Sequence, residues 1–123
     1  MEGSTATKRI TAATMAEAFR DTVERVPDQV AFRTRNDSVS LTWARMRDRV
    51  DDLAGGLAKL GVKRGDTVAL MFGNRPEFHL ADLAVMMLGA TPFSIYMTYA
   101  PNQIEYVVQD AGARIMITER HAA

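Results

Sequence analysis

The sequence predicts an α/β fold, part of a doubly wound, mostly parallel sheet with flanking helices and a short N-terminal β-hairpin. Three observations predict it. Thr67-Val68-Ala69-Leu70-Met71-Phe72 is a nearly continuous apolar run, the pattern of a strand buried on both faces. From that run onward strand and helix patterns alternate, which calls for parallel strands joined by right-handed crossovers. Just upstream, a long apolar stripe of helical period needs a partner layer to bury it.

The elements follow in order. Thr14-Met15-Ala16-Glu17 reads as a capping box, with Glu17 reaching back to the cap. Met15, Ala18, Phe19, Val23 and Val26 continue at helical spacing, and Pro27 closes this first helix. Val30-Ala31-Phe32-Arg33 and Val39-Ser40-Leu41 flank the turn cluster Asn36-Asp37-Ser38 and predict a hairpin. Thr42 is placed to cap the next helix, where Trp43, Met46, Val50, Leu53, Leu57 and Leu60 step by three and four residues. Gly61 stands where a left-handed C-terminal cap is needed.

Lys63-Arg64-Gly65-Asp66 turns the chain into the buried strand over 67–72. Gly73-Asn74-Arg75-Pro76 breaks that strand, with Asn74 as candidate cap and Pro76 tolerated in the first helical turn. The helix over 77–88 presents Phe78, Leu83, Val85, Met86 and Met87 on its apolar face, and Gly89 ends it. A strand over 91–95, a loop over 96–100, a helix over 101–109 and a strand over 114–118 complete the alternation. Residues 1–13 are expected to form a flexible lead-in. Residues 14–123 are expected to form an incomplete subdomain of a larger N-terminal domain, because a doubly wound sheet should continue past the last strand.

Composition narrows the function classes. The 123 residues are 47% hydrophobic and 24% charged, a globular composition. Fifteen Lys+Arg balance 15 Asp+Glu, so the basic excess that drives nucleic-acid binding is missing. Without cysteine there is no disulfide, thiolate metal site or cysteine nucleophile, and two histidines, His79 and His121, exclude a three-histidine zinc site. The first fourteen residues hold no apolar signal region, so cytoplasmic residence is the expectation. The run 78–97 is long enough to span a bilayer, but His79, Asp82, Gly89 and Pro92 interrupt it. A buried helix, a turn and a buried strand account for it better.

Candidate chemistry is sparse. No Gly-x-Gly-x-x-Gly motif and no phosphate loop ending in Lys-Ser or Lys-Thr is present. Gly55-Gly56 lies within the strongest helix and is expected to permit close helix packing. Asp48, Asp51 and Asp52 alternate with Arg45, Arg47 and Arg49, the pattern of a solvated face. Glu77, His79 and Asp82 share one helix without an evident third metal ligand, so a surface or helix-terminal role is expected. Asn74-Arg75 stands at the carboxyl end of a buried strand, where open α/β sheets bind ligands, although a turn and cap explain it too. Tyr96, Met97, Tyr99 and Tyr106 suit either an apolar pocket or ordinary packing.

An ordered set of segments resembles the N-terminal part of the adenylate-forming enzymes, the superfamily of acyl-CoA synthetases, luciferases and peptide-synthetase adenylation domains. Pro27-Asp28-Gln29-Val30-Ala31 matches the stretch before that family's first hairpin, and Leu41-Thr42-Trp43-Ala44-Arg45-Met46 its Leu-Thr-Tyr-x-Glu-Leu helix start. Most distinctive is the run from Leu57 through Leu60-Gly61-Val62 and Gly65-Asp66-Thr67-Val68-Ala69-Leu70. Asn74-Arg75-Pro76-Glu77-Phe78, Leu88-Gly89-Ala90, Pro101-Asn102-Gln103-Ile104-Glu105-Tyr106 and Asp110-Ala111-Gly112-Ala113-Arg114 follow in register. The stretch from Ser94-Ile95-Tyr96 to Tyr106 is most like fatty-acyl-CoA synthetases. Thr91-Pro92-Phe93-Ser94 departs from the peptide-synthetase pattern.

The resemblance implies ATP, Mg2+ and coenzyme A for a complete enzyme. Carboxylate and ATP give an acyl-adenylate, and the coenzyme A thiol then displaces AMP. In that family the chemistry belongs to a Ser/Thr/Gly-rich loop with a lysine, a Tyr-x-Thr-Gly-Asp segment and a lysine of a mobile C-terminal domain. This sequence contains none of the three, so the resemblance places no catalytic, cofactor-binding or metal-binding residue on it. What it implies here is scaffold, expected to be inactive alone. The alternative class is a non-catalytic module that self-associates through a sheet edge or pairs with a complementary fragment. A small nucleotide-binding domain is a third reading, weakened by the missing phosphate loop.

Overall fold

The structure, a computed structural model, describes residues 11–120. Most of the lead-in expected over 1–13, and His121, lie outside the described residues. Helix α1 (Met15–Arg25) starts where Thr14 Oγ1 accepts the Glu17 N–H at 3.1 Å. The Glu17 carboxylate reaches one residue further back than expected and takes the Ala13 N–H at 2.8 Å. A hairpin follows, β1 (Val30–Arg33) paired antiparallel with β2 (Ser40–Thr42). Its turn puts Asn36 and Asp37 at positive φ, which short polar side chains tolerate. Thr42 then caps α2 (Trp43–Lys59) by accepting the Arg45 N–H.

The remaining elements are β3 (Thr67–Met71), α3 (Pro76–Met87), β4 (Thr91–Ser94), α4 (Pro101–Ala111) and β5 (Ile115–Thr118). The three strands form one parallel sheet in the order β4-β3-β5. The steps from β3 to β4 and from β4 to β5 run in opposite directions, so right-handed crossovers place α3 and α4 on opposite faces. Burial agrees. Val68 and Leu70 of β3 pack with Phe19, Val50, Leu80 and Val85 from the first three helices. Ala69 and Met71 point the other way, toward Ile104 and Val108 of α4. The continuous apolar run of β3 therefore serves two cores, as expected for a central parallel strand.

Several expectations need correction. Gly55 and Gly56 are exposed, and a Cβ added to either would meet nothing within 4 Å, so no close helix contact requires them. Leu60 ends the stripe of α2 but is 70% exposed. The fully buried side of α3 is Leu80, Ala81, Ala84 and Val85, while Phe78, Leu83, Met86 and Met87 are only partly covered. That helix is apolar nearly all round, so spacing alone did not select its inner face. Strand β4 lies at a sheet edge and is half-exposed rather than buried. Across 78–97 the chain forms the end of α3, a turn at Gly89 and then β4, and no helix among the described residues is long and apolar enough to cross a membrane.

Candidate functional site

Strands β3 and β4 are neighbours, and the helices that follow them lie on opposite faces. The crevice at their carboxyl ends is thus the switch point at which open α/β sheets accept ligands. Its floor is the Gly73–Pro76 turn. Asn74 does not cap α3; Arg75 occupies the cap position and makes no side-chain capping bond, with Pro76 in the first turn. Pro76 at the first helical position has no N–H, so this helix start has one fewer free donor to satisfy.

Two side chains at the end of β5 hold this turn. Glu119 Oε2 accepts Arg75 Nη1 at 2.5 Å, and Glu119 Oε1 accepts the Gly73 N–H at 3.3 Å. Thr118 Oγ1 donates to the Met71 carbonyl at 2.8 Å. Arg75 Nε also reaches Glu77 Oε1 at 3.2 Å. Hydrogen bonding to Glu119, with Glu77 adding charge, raises the Arg75 guanidinium above its ordinary value. Beside the turn lies a cavity of about 400 Å³ bordered by Arg33, Arg35, Asn74, Arg75 and His79. Arg33 and Arg35 reach this opening from the hairpin and Arg75 from the start of α3; Arg33 lies 3.7 Å from Asp37 and Arg75 is paired with Glu77 and Glu119, so acidic partners offset much of their charge.

The other residues singled out from sequence are scattered. Glu77 turns to Arg75, His79 packs against the rings of Phe32 and Phe78, and Asp82 faces a separate cavity. Tyr96 stacks edge-on against Tyr99, with centroids 5.5 Å apart, and Tyr99 joins the core beneath α4. Tyr96 and Tyr106 are each 70% exposed, so neither the pocket nor the packing reading describes them fully. Asp48, Asp51 and Asp52 are exposed on α2, where Arg47 pairs with Asp48 at 3.0 Å, as a solvated face should. Sequence reasoning missed Thr118 and Glu119. Their only signal was a polar pair closing an apolar strand, which says nothing about a turn more than forty residues away.

A parallel sheet wound on both faces, with a clamped turn at its switch point, defines an open α/β scaffold. The chain belongs to the AMP-binding enzyme family, whose sequence profile matches residues 19–123. It is 45% identical over 116 residues to the uncharacterized protein Rv1549 of Mycobacterium tuberculosis, covering 94% of this chain and 65% of that one. It is 28% identical over 104 residues to the mitochondrial medium-chain acyl-CoA ligase ACSF2 of Bos taurus, covering 85% of this chain and 17% of the ligase. Among solved structures, the N-terminal domain of FACL13 from Mycobacterium tuberculosis superposes with a TM-score of 0.85 at 25% identity, over 91% of this chain and 29% of that domain. The N-terminal subdomain of Klebsiella oxytoca NpsA, bound to anthranilyl-AMSN, superposes with a TM-score of 0.81 at 27% identity, over 87% of this chain and 28% of that one. The chain therefore spans less than two-thirds of Rv1549 and under a third of each of the other three.

Proposed function

We propose that this chain is the scaffold portion of an ATP-dependent fatty-acid–CoA ligase, with residues 14–123 forming an incomplete N-terminal α/β subdomain, and that by itself it adenylates nothing. The family match over 19–123 carries the reading, because it covers scaffold without any of the family's phosphate-handling motifs. The complete enzyme would use ATP, Mg2+ and coenzyme A, with a fatty acid as the carboxylate, in fatty acid metabolism in the cytoplasm. Among the described residues no three His, Asp or Glu side chains are grouped to hold a metal ion. Arg75, the cation nearest the switch point, is already engaged by Glu119 and Glu77. We assign no step of the two-step reaction to a described residue of this chain. Its own residues position a turn and build a sheet edge.

The direct test is pyrophosphate release from ATP, Mg2+ and a panel of fatty acids. Background signal is expected with the chain alone, and turnover at ordinary enzyme rates would overturn the reading.

A second reading, a non-catalytic pairing module, is favoured by the unequal edges of the sheet. The Thr91 N–H donates to the Asp66 carbonyl just before β3 and the Ile95 N–H to the Leu70 carbonyl within it, so by alternation the Pro92 nitrogen faces the free edge and offers no donor. Edge β5, Ile115-Met116-Ile117-Thr118, has neither proline nor charge to discourage another strand. Light scattering after size exclusion separates the two readings. A dilution-stable monomer removes the pairing module and leaves the ligase scaffold untouched.

A further inference from the structure

We propose that the open pocket bordered by α1, the hairpin, α2 and α3 binds an alkylammonium ion, with aromatic and thioether walls along its chain and the Asp82 carboxylate beside its charge. This site adjoins the opening at the switch point, with which it shares Phe32 and His79. None of the three parallel strands lines it, and its volume of about 440 Å³ falls in the range of small-molecule pockets. Phe19, Phe32 and Trp43 stand along it with Met86, and Phe19 and Trp43 are tilted at 54° with centroids 6.1 Å apart. Aromatic faces carry negative potential and attract organic cations.

Charge complementarity selects that occupant. Among the described residues the lining contains no lysine or arginine, and its only acidic or basic side chains are Asp82 and His79. Asp82 makes no hydrogen bond or ion pair among the described residues. Burial pushes its carboxyl above the ordinary value, and nearby His79 acts weakly the other way. A carboxylate held against apolar walls without a partner is costly, and an ammonium group removes that cost while its chain covers the rings. A fatty acid would instead set a second carboxylate against Asp82, so this cavity does not suit the acid substrate proposed above. The two proposals stand or fall separately.

The experiment uses the full chain in mildly alkaline buffer. Trp43 is the only tryptophan and lines the cavity, so its fluorescence reports occupancy. Hexylammonium, hexanol and hexanoate are titrated in turn. Hexylammonium is expected to bind about tenfold more tightly than hexanol, with hexanoate weakest. Asp82→Asn is expected to erase the preference for the amine and leave hexanol binding unchanged. Equal binding of amine and alcohol by the wild type overturns the proposal, as does a preference that survives Asp82→Asn. Should that variant fail to melt cooperatively, amide and indole NMR shifts of the wild type decide. Amine-induced shifts that miss Phe19, Trp43 and Asp82, or no shifts at all, overturn it.

Discussion

The two faces of the β4-β3-β5 sheet are built to very different depths. On one side, fourteen buried residues from three helices, the hairpin, β3 and the connections at Val62 and Ala90 form a single cluster that includes Val50, Ala84 and Val85 at 0% exposure. On the other, Ala69, Met71 and Ile95 alone are buried among the described residues, and α4 contributes no fully buried residue. Both faces draw on the same strand, so the difference lies in what covers them. α1, α2 and α3 pack on each other as well as on the sheet, whereas α4 lies alone on its face. Cohesion therefore resides in the first layer, and α4 with β5 forms a layer that can open locally without unfolding the rest.

Core truncation tests that contrast most strongly. Leu80→Ala, at 4% exposure in the deep layer, is expected to cost about 3 kcal/mol in urea denaturation, through lost transfer energy and the cavity left behind. Ile104→Ala in half-covered α4 is expected to cost about 1 kcal/mol, because a thin layer relaxes around the gap. Equal costs would break the comparison. Native-state hydrogen exchange adds detail: amides of α4 are expected to exchange before those of α2 and α3, and uniform protection would show one cooperative unit instead.

Glycines sharpen it further. Gly89 has φ +76°, and an added Cβ would lie 3.2 Å from Arg64 Cγ while its carbonyl accepts the Gly65 N–H. Gly89→Ala is expected to lower stability by about 1–2 kcal/mol, since a side chain at positive φ is strained. Gly55→Ala sits mid-helix with open space around it and is expected to raise stability by about 1 kcal/mol. Thermal melts of the two variants should move in opposite directions.

The same contrast explains what could be read from the residues alone. Strand β3 was legible because it is covered on both sides, which leaves an unbroken apolar run. Thr14, Thr42 and Gly61 were legible because capping is local chemistry, decided within one helical turn. The inner face of α3 was not, since the helix is apolar nearly all round and neighbours choose its orientation. Gly55-Gly56 invited a packing explanation that belongs to contacts, and the contacts are absent. At the candidate site, the location of Asn74-Arg75 followed from topology. The clamp by Thr118 and Glu119 did not, because a hydrogen bond across a sheet leaves no periodic trace in sequence.

The smallest expected effect is a pH dependence whose sign differs between the deep layer and the solvent edge. Asp82 borders the deep layer, and burial raises its carboxyl above 3.8. As pH climbs past 3.8 the unfolded chain ionises first, so this group's cost to stability grows until the folded carboxyl has also ionised and stays in full above that pH. Asp66 stands in the turn before β3, where the backbone N–H of Lys63 at 2.9 Å, followed by the lysine's own side chain, lowers its carboxyl below 3.8. Its contribution is complete above 3.8 and is lost as pH falls through the lowered value. Asp82→Asn is therefore expected to melt above the wild type at neutral pH and Asp66→Asn below it, both gaps narrowing in acid. Melting curves of the three proteins across that range decide it: shifts of the same sign at the two sites would mean that the helical layer does not desolvate its carboxylate, and the contrast between the faces would lose its electrostatic half.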